Sequence, residues 1–130
     1  MKIRSFRVKK SEKLKLDEVW LCDRDGQKEN VLIKVVVEDE ASASLAGKIA
    51  IAKNVSGVEA FLRYKILLLG ERSRVEVVPQ LEIESNEVKA GHAASIGRVD
   101  EEQLFYLMSR GILRSEAIEL VVEAFLDDNN

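Results

Sequence analysis

The residues of this 130-residue chain that could carry chemistry are few, and two of them are the only ones of their type. His92 is the only histidine and Cys22 the only cysteine. A neutral imidazole can ligate a transition metal, and its titration near neutrality can gate that binding. A lone histidine can equally be a hydrogen-bonded ring at the end of a strand, and the residue type does not separate the two. Cys22 closes the run Val19-Trp20-Leu21-Cys22, where a thiol reads as a small buried hydrophobe rather than a thiolate ligand, and Trp20 reads as a core residue. A single cysteine excludes an internal disulfide framework and fits a reducing compartment, so the cytoplasm is the expected location. Glu82, Glu84 and Glu87 suggest the paired carboxylates of sugar-processing enzymes. Glu82 and Glu84 alternate with Leu81 and Ile83, however, as any solvated strand face does, and no complementary acid, base or metal cluster accompanies them. His92 with Ser95 lacks a nucleophile-elbow context, and no P-loop or dinucleotide glycine pattern occurs. The chain itself is therefore not expected to be an enzyme.

Most of the elements that position these residues read at period two. Val31, Ile33, Val35 and Val37 share one parity, with Lys34 and Glu38 on the other. Leu62, Tyr64, Ile66 and Leu68 oppose Arg63 and Lys65, and Val75, Val77, Pro79, Leu81 and Ile83 oppose Arg74, Glu76, Gln80, Glu82 and Glu84. Strand side chains alternate between faces, so each run predicts one buried and one wetter face. Turn signals separate the runs at Asp23 to Gly26, Glu38 to Glu40, Asn54 to Gly57 and Gly70 to Ser73. Small residues crowd Ala41 to Ala52 and suit stacked coils or a corner. Pro79 cannot donate to a ladder, which assigns its strand to an edge or a bulge. Hydrophobic residues at 46% and charged residues at 33% predict one domain with a real core. A net charge of −3 gives no general attraction to nucleic acid or to an anionic membrane. The basic N-terminus, from Lys2 and Arg4 to Lys13 and Lys15, reads as solvated strand faces.

After Val99 the period changes to helical. Asp100 is a candidate N-cap with Gln103 as its capping-box partner, Leu104, Leu107 and Met108 share one face, and Gly111 is a natural stop. A second helix is expected from about Arg114, with Ile118, Val121, Val122 and Phe125 at helical spacing. It runs into Asp127, Asp128, Asn129 and Asn130, acids that oppose the helix dipole, so the tail is expected to fray. The domain expectation is a β core over residues 1–98 and a helical segment over 99–130, in one compact unit.

Two stretches carry more than a pattern. One is Pro79-Gln80-Leu81-Glu82-Ile83 followed by the segment from Val88 to Gly97 that contains Gly91-His92-Ala93. The other runs from Asp100 through Gln103-Leu104-Phe105-Tyr106-Leu107-Met108-Ser109-Arg110-Gly111-Ile112, with Glu116-Ala117 and Phe125 downstream. Together they resemble the C-terminal core of the SufB/SufD proteins of iron–sulfur cluster assembly, densely from about Leu68 to Phe125. The resemblance implies a mainly β fold, a short right-handed parallel β-helix with two C-terminal α-helices. It implies pairing with a SufB/SufD-like subunit, as homo- or heterodimer, and docking of the helices onto a SufC-type ABC ATPase. His92 matches the histidine of SufD-type members and becomes the candidate iron or cluster ligand. Two departures accompany it: Tyr64 stands where SufB-type members have cysteine, and Ala93 where they follow the histidine with glutamate.

One histidine cannot hold a cluster, whose usual ligands are several thiolates. The expectation is therefore no cofactor held stably by the chain alone, and a transient iron–sulfur cluster within a complex. The ATPase-binding residues are expected to be Phe105, Tyr106, Met108, Arg110 and Gly111, with one of the two adjacent aromatics packed inward and the other facing the partner. The dimer contact is expected at Val75, Val77, Leu81 and Ile83, because a short β-helix leaves strand edges and an open coil end. Two alternatives remain: a truncated regulatory paralogue that occupies the ATPase without building clusters, and a β-helical carbohydrate-active enzyme.

Overall fold

The structure, a computed structural model, describes residues 1–128 and comprises seven strands followed by two helices. The strands are β1 (Lys2–Val8), β2 (Lys13–Cys22), β3 (Lys28–Val37), β4 (Ser42–Ile51), β5 (Val58–Leu68), β6 (Arg74–Ile83) and β7 (Val88–Arg98). The helices are α1 (Glu101–Ser109) and α2 (Arg114–Asp127). Alternate strands join alternate sheets, giving the order β1-β3-β5-β7 in one and β2-β4-β6 in the other, with every pairing parallel. The chain thus winds as a parallel β-helix of about three turns, followed by the two helices.

Parallel in-register pairing stacks like on like. Ile33 lies beside Tyr64, Val35 beside Ile66 and Val37 beside Leu68 in the first sheet, and Leu45 beside Val77 and Ile49 beside Leu81 in the second. These core-facing residues meet in the interior between the sheets. Pro79 lies on β6, an edge strand, where its missing N–H costs no ladder bond. The predicted turns are the corners. Gly26 and Gly57 both take φ 71°, a left-handed conformation that glycine adopts without strain, and stack with only 3.6 Å between the Gly26 Cα and the place a Gly57 Cβ would occupy. Gly26 N–H donates to Ser56 O and Gly57 N–H to Glu87 O, both at 2.8 Å, so each corner hangs on the next. At the other corner the buried Ser73 hydroxyl lies 3.0 Å from Val37 O and 2.9 Å from Glu38 O, and accepts from Gly70 N–H.

The alternation rule fails on β3. Lys34, expected on the wetter face, is fully buried, and so are Leu32 and Val36 on the same side. For Lys34 and Val36 the cause is α2, which lies across that outer face and packs Ile118, Val121, Val122 and Phe125 against Val36 and Leu67. Arg7 of β1 clamps the helix with a two-pronged bond to Glu119 at 2.6 and 2.8 Å, and its Nε donates to Glu38 at 2.8 Å. Lys34 Nζ donates to Phe125 O at 2.8 Å and sits 5.6 Å from the Phe125 ring centroid. The C-terminus of α2 therefore has its cation, supplied from beneath by a strand rather than by its own last turn. Asp127 is the last helical residue, and Asn129 and Asn130, expected to fray, lie outside the described residues. Asp100 caps α1 by accepting from Glu102 N–H at 3.0 Å, and Gly111 follows it at φ 91°. No helix among the described residues is long and apolar enough to cross a membrane.

Candidate functional site

His92 lies on β7, in register with Leu62. Leu62 faces the core, so His92 projects from the same face of its sheet. The two differ in cover: Leu62 is buried, whereas His92 is exposed. The second sheet ends at β6, so the core face of β7 has no full strand opposite it. Val88 and Ala90 still pack on the core, but Ile96, further along the same face, is 52% exposed. The β6 side of this open end presents Val75, Val77 and Leu81, partly buried, and Ile83, 44% exposed. His92 and these four residues therefore line one end of the coil.

Tyr64 is one strand inward, beside Ala94, and faces the same interior. It is 1% exposed, and burial pushes its phenol up to about 12. The position that the resemblance aligns with the SufB-type cysteine is thus on the same interior face as His92, filled here by a ring without a soft metal donor. Ala93 points to the opposite face from His92. Cys22 is wholly buried and pairs in register with Ile51, and burial pushes its thiol pKa up, away from thiolate character. Glu82 forms an ion pair with Lys48 at 3.0 Å across the outer face of the second sheet, the behaviour of a solvated strand. Among the described residues, no three His, Cys, Asp or Glu side chains gather as a metal site.

The helical end departs from expectation. Phe105 and Tyr106 were expected to divide between core and surface, yet they are 75% and 55% exposed. The residue that anchors α1 is Leu104, fully buried, and one anchor suffices because the helix is short. Met108 is 39% exposed, and the Arg110 guanidinium lies 4.7 Å above the Tyr106 ring while bonding its hydroxyl. Leu113, the N-cap residue of α2, and Leu120 on α2 are also exposed, at 65% and 46%. Sequence reasoning missed both; a count of apolar residues on the face of α2 opposite Val121 and Val122 is the signal that finds Leu120. Truncating Phe105 to alanine is expected to leave the thermal midpoint within a degree or two, since an exposed substitution changes stability by about 0.5 kcal/mol or less.

The family model for the SufBD core domain of the SUF system of FeS cluster assembly matches residues 22–125. The chain belongs to the SufB/SufD family. It is 38% identical over 94 residues to the iron–sulfur cluster assembly protein SufD of Escherichia coli K12, covering 72% of this chain and 22% of the relative. Identity to SufD of Bacillus subtilis 168 is 45% over 91 residues, covering 70% and 21%. A SufBD family protein of Mycobacterium tuberculosis H37Rv is 40% identical over 109 residues, covering 78% and 28%. The chain spans about a quarter of the length of these curated relatives. The match begins at Cys22, so β1 and almost all of β2 lie outside it. Membership of that family replaces the reading as a β-helical carbohydrate-active enzyme.

Proposed function

We propose that this protein is a non-enzymatic, SufD-like scaffold subunit of iron–sulfur cluster assembly in the cytoplasm. It pairs with a SufB/SufD-like subunit through the open end of its coil and docks a SufC-type ABC ATPase on its helices. The observation that carries the reading is the position of His92, on the core-facing side of the last strand and exposed at the open end. A like subunit covering that end would bury Ile83 and Ile96 and bring further ligands to the imidazole. The cluster is cargo of the complex, held jointly and passed on.

The test is co-expression with a like subunit and a SufC-type ATPase, followed by loading with iron and sulfide. His92→Ala is expected to assemble and bind the ATPase as wild type does while losing iron retention, read by absorbance and iron content per complex. An exposed side chain contributes little packing, but its nitrogen lone pair has no substitute among the side chains beside it. Phe105→Ala and Tyr106→Ala are expected to weaken ATPase capture with iron retention per complex unchanged. Tyr64 supports a second reading: with cysteine replaced and Ala93 in place of glutamate, the chain would occupy the ATPase as a regulatory paralogue without building clusters. A His92→Ala complex that retains iron like wild type would show that His92 is structural here, whereas a His92→Ala chain that unfolds would favour the paralogue reading.

A further inference from the structure

The ATPase reading leaves open what kind of surface the helices accept, and charge and packing on α2 bear on it. Residues 99–130 carry eight Asp and Glu against two Arg and no Lys. Residues 1–98 lean the other way, with eighteen Lys and Arg against fifteen Asp and Glu. Both helical arginines are already engaged: Arg114 pairs with Glu101 at 2.8 Å, and Arg110 lies over Tyr106. Glu119 is taken by Arg7. Among the described residues, Glu116 and Glu123 have no ion-pair partner, and they flank Leu120 along one face of α2. A groove of about 360 Å³ runs there, with Ile112 and Leu120 as its apolar lining and the glutamates along it. Exposed leucine between unpaired carboxylates does nothing for this chain's own folding, since α2 packs on the sheet through Ile118, Val121, Val122 and Phe125.

We infer that this groove seats an apolar side chain from a cationic surface of the ATPase subunit, with Glu116 and Glu123 steering the approach and Leu120 holding the docked partner. The inference rests on the docking of a SufC-type ATPase at the helical end and adds both the face and the sign of its charge. Complementary charge acts mainly on association rate and fades with salt, whereas a desolvated apolar contact acts on dissociation. The two contributions are therefore separable in one experiment.

Full-length chain would be immobilised, and association and dissociation of a purified SufC-type ATPase followed from low to physiological salt. The double variant Glu116→Lys/Glu123→Lys is expected to slow association by about tenfold or more at low salt, with the gap closing as salt rises. Leu120→Ala is expected to speed dissociation at every salt concentration while association stays within about twofold. Unchanged helical circular dichroism and thermal midpoint in both variants would establish that α2 remains docked. If charge reversal leaves association unchanged or accelerates it while Phe105→Ala still weakens binding, the cationic partner is refuted and helical docking survives. If the wild-type chain never captures the ATPase, the docking reading falls and this inference with it.

Discussion

Gly47→Ala is expected to destabilise the protein by about 3 kcal/mol, and Tyr64→Ala by about 3–5 kcal/mol, in urea unfolding followed by circular dichroism. Both residues serve one packing arrangement. Tyr64 reaches across the interior from β5 toward β4, and a Cβ at Gly47 would fall inside van der Waals contact of its hydroxyl, 2.9 Å from Leu62 Cδ2 and 3.1 Å from Trp20 Cζ3. Glycine is thus required for space and not for backbone conformation. Cores resist added volume because their neighbours already fill the interior at crystal-like density. The two effects are coupled, which provides the sharper test. In a Tyr64→Ala background the added methyl at Gly47 enters space the ring has left, and its cost is expected to fall to about 1 kcal/mol or less. Strict additivity would show that Gly47 answers to Leu62 and Trp20 instead.

Lys34→Glu is expected to cost about 3–5 kcal/mol and to release α2 from the sheet, measured by urea unfolding and by amide exchange along the helix. The ammonium lies wholly beneath the helix end, donating to the Phe125 carbonyl, and a buried carboxylate there would face an acceptor where a donor is needed. Lys34→Met keeps much of the volume but leaves the carbonyls without their cation, so its cost is expected to be smaller, about 1–3 kcal/mol. A pH dependence follows. Burial lowers the Lys34 pKa below its ordinary 10.5, opposed by the charges of Asp128 and Asp127 and reinforced by Lys65. Between the folded-state pKa and 10.5 the unfolded chain holds more protons at this site than the folded chain does. Stability attributable to Lys34 therefore rises with pH through that window. Subtracting the pH profile of Lys34→Met from that of wild type isolates the contribution, and a difference that falls with pH would refute it.

The β core was legible because a parallel coil repeats one demand at every level. Val31 to Val37, Leu62 to Leu68 and Val75 to Ile83 alternate along the chain, and stacking in register needs only that each run be apolar on one face. The corners were equally legible, since Gly26 and Gly57 occupy left-handed positions. The first coil was harder to read. Arg4 and Glu18 occupy core-facing positions on β1 and β2, where they bond each other at 2.6 and 2.7 Å, so the apolar alternation is broken by a pair that satisfies itself.

From the sequence by itself come the strand-then-helix order, the Asp100 cap and Gly111 stop of α1, the edge assignment of Pro79 and the family motif around His92, all of which depend on neighbours a few residues apart. Only the tertiary structure decided that both faces of β3 are buried, that Lys34 ends up against a helix terminus far along the chain, and that Phe105 and Tyr106 both face outward while Leu104 anchors α1. The same holds for His92. Its parity was readable, but its exposure depends on the second sheet stopping one strand short of the first. The physical reason is range: periodicity reports which side of an element is apolar, whereas burial depends on what another part of the chain lays against that side, and local pattern carries no record of it.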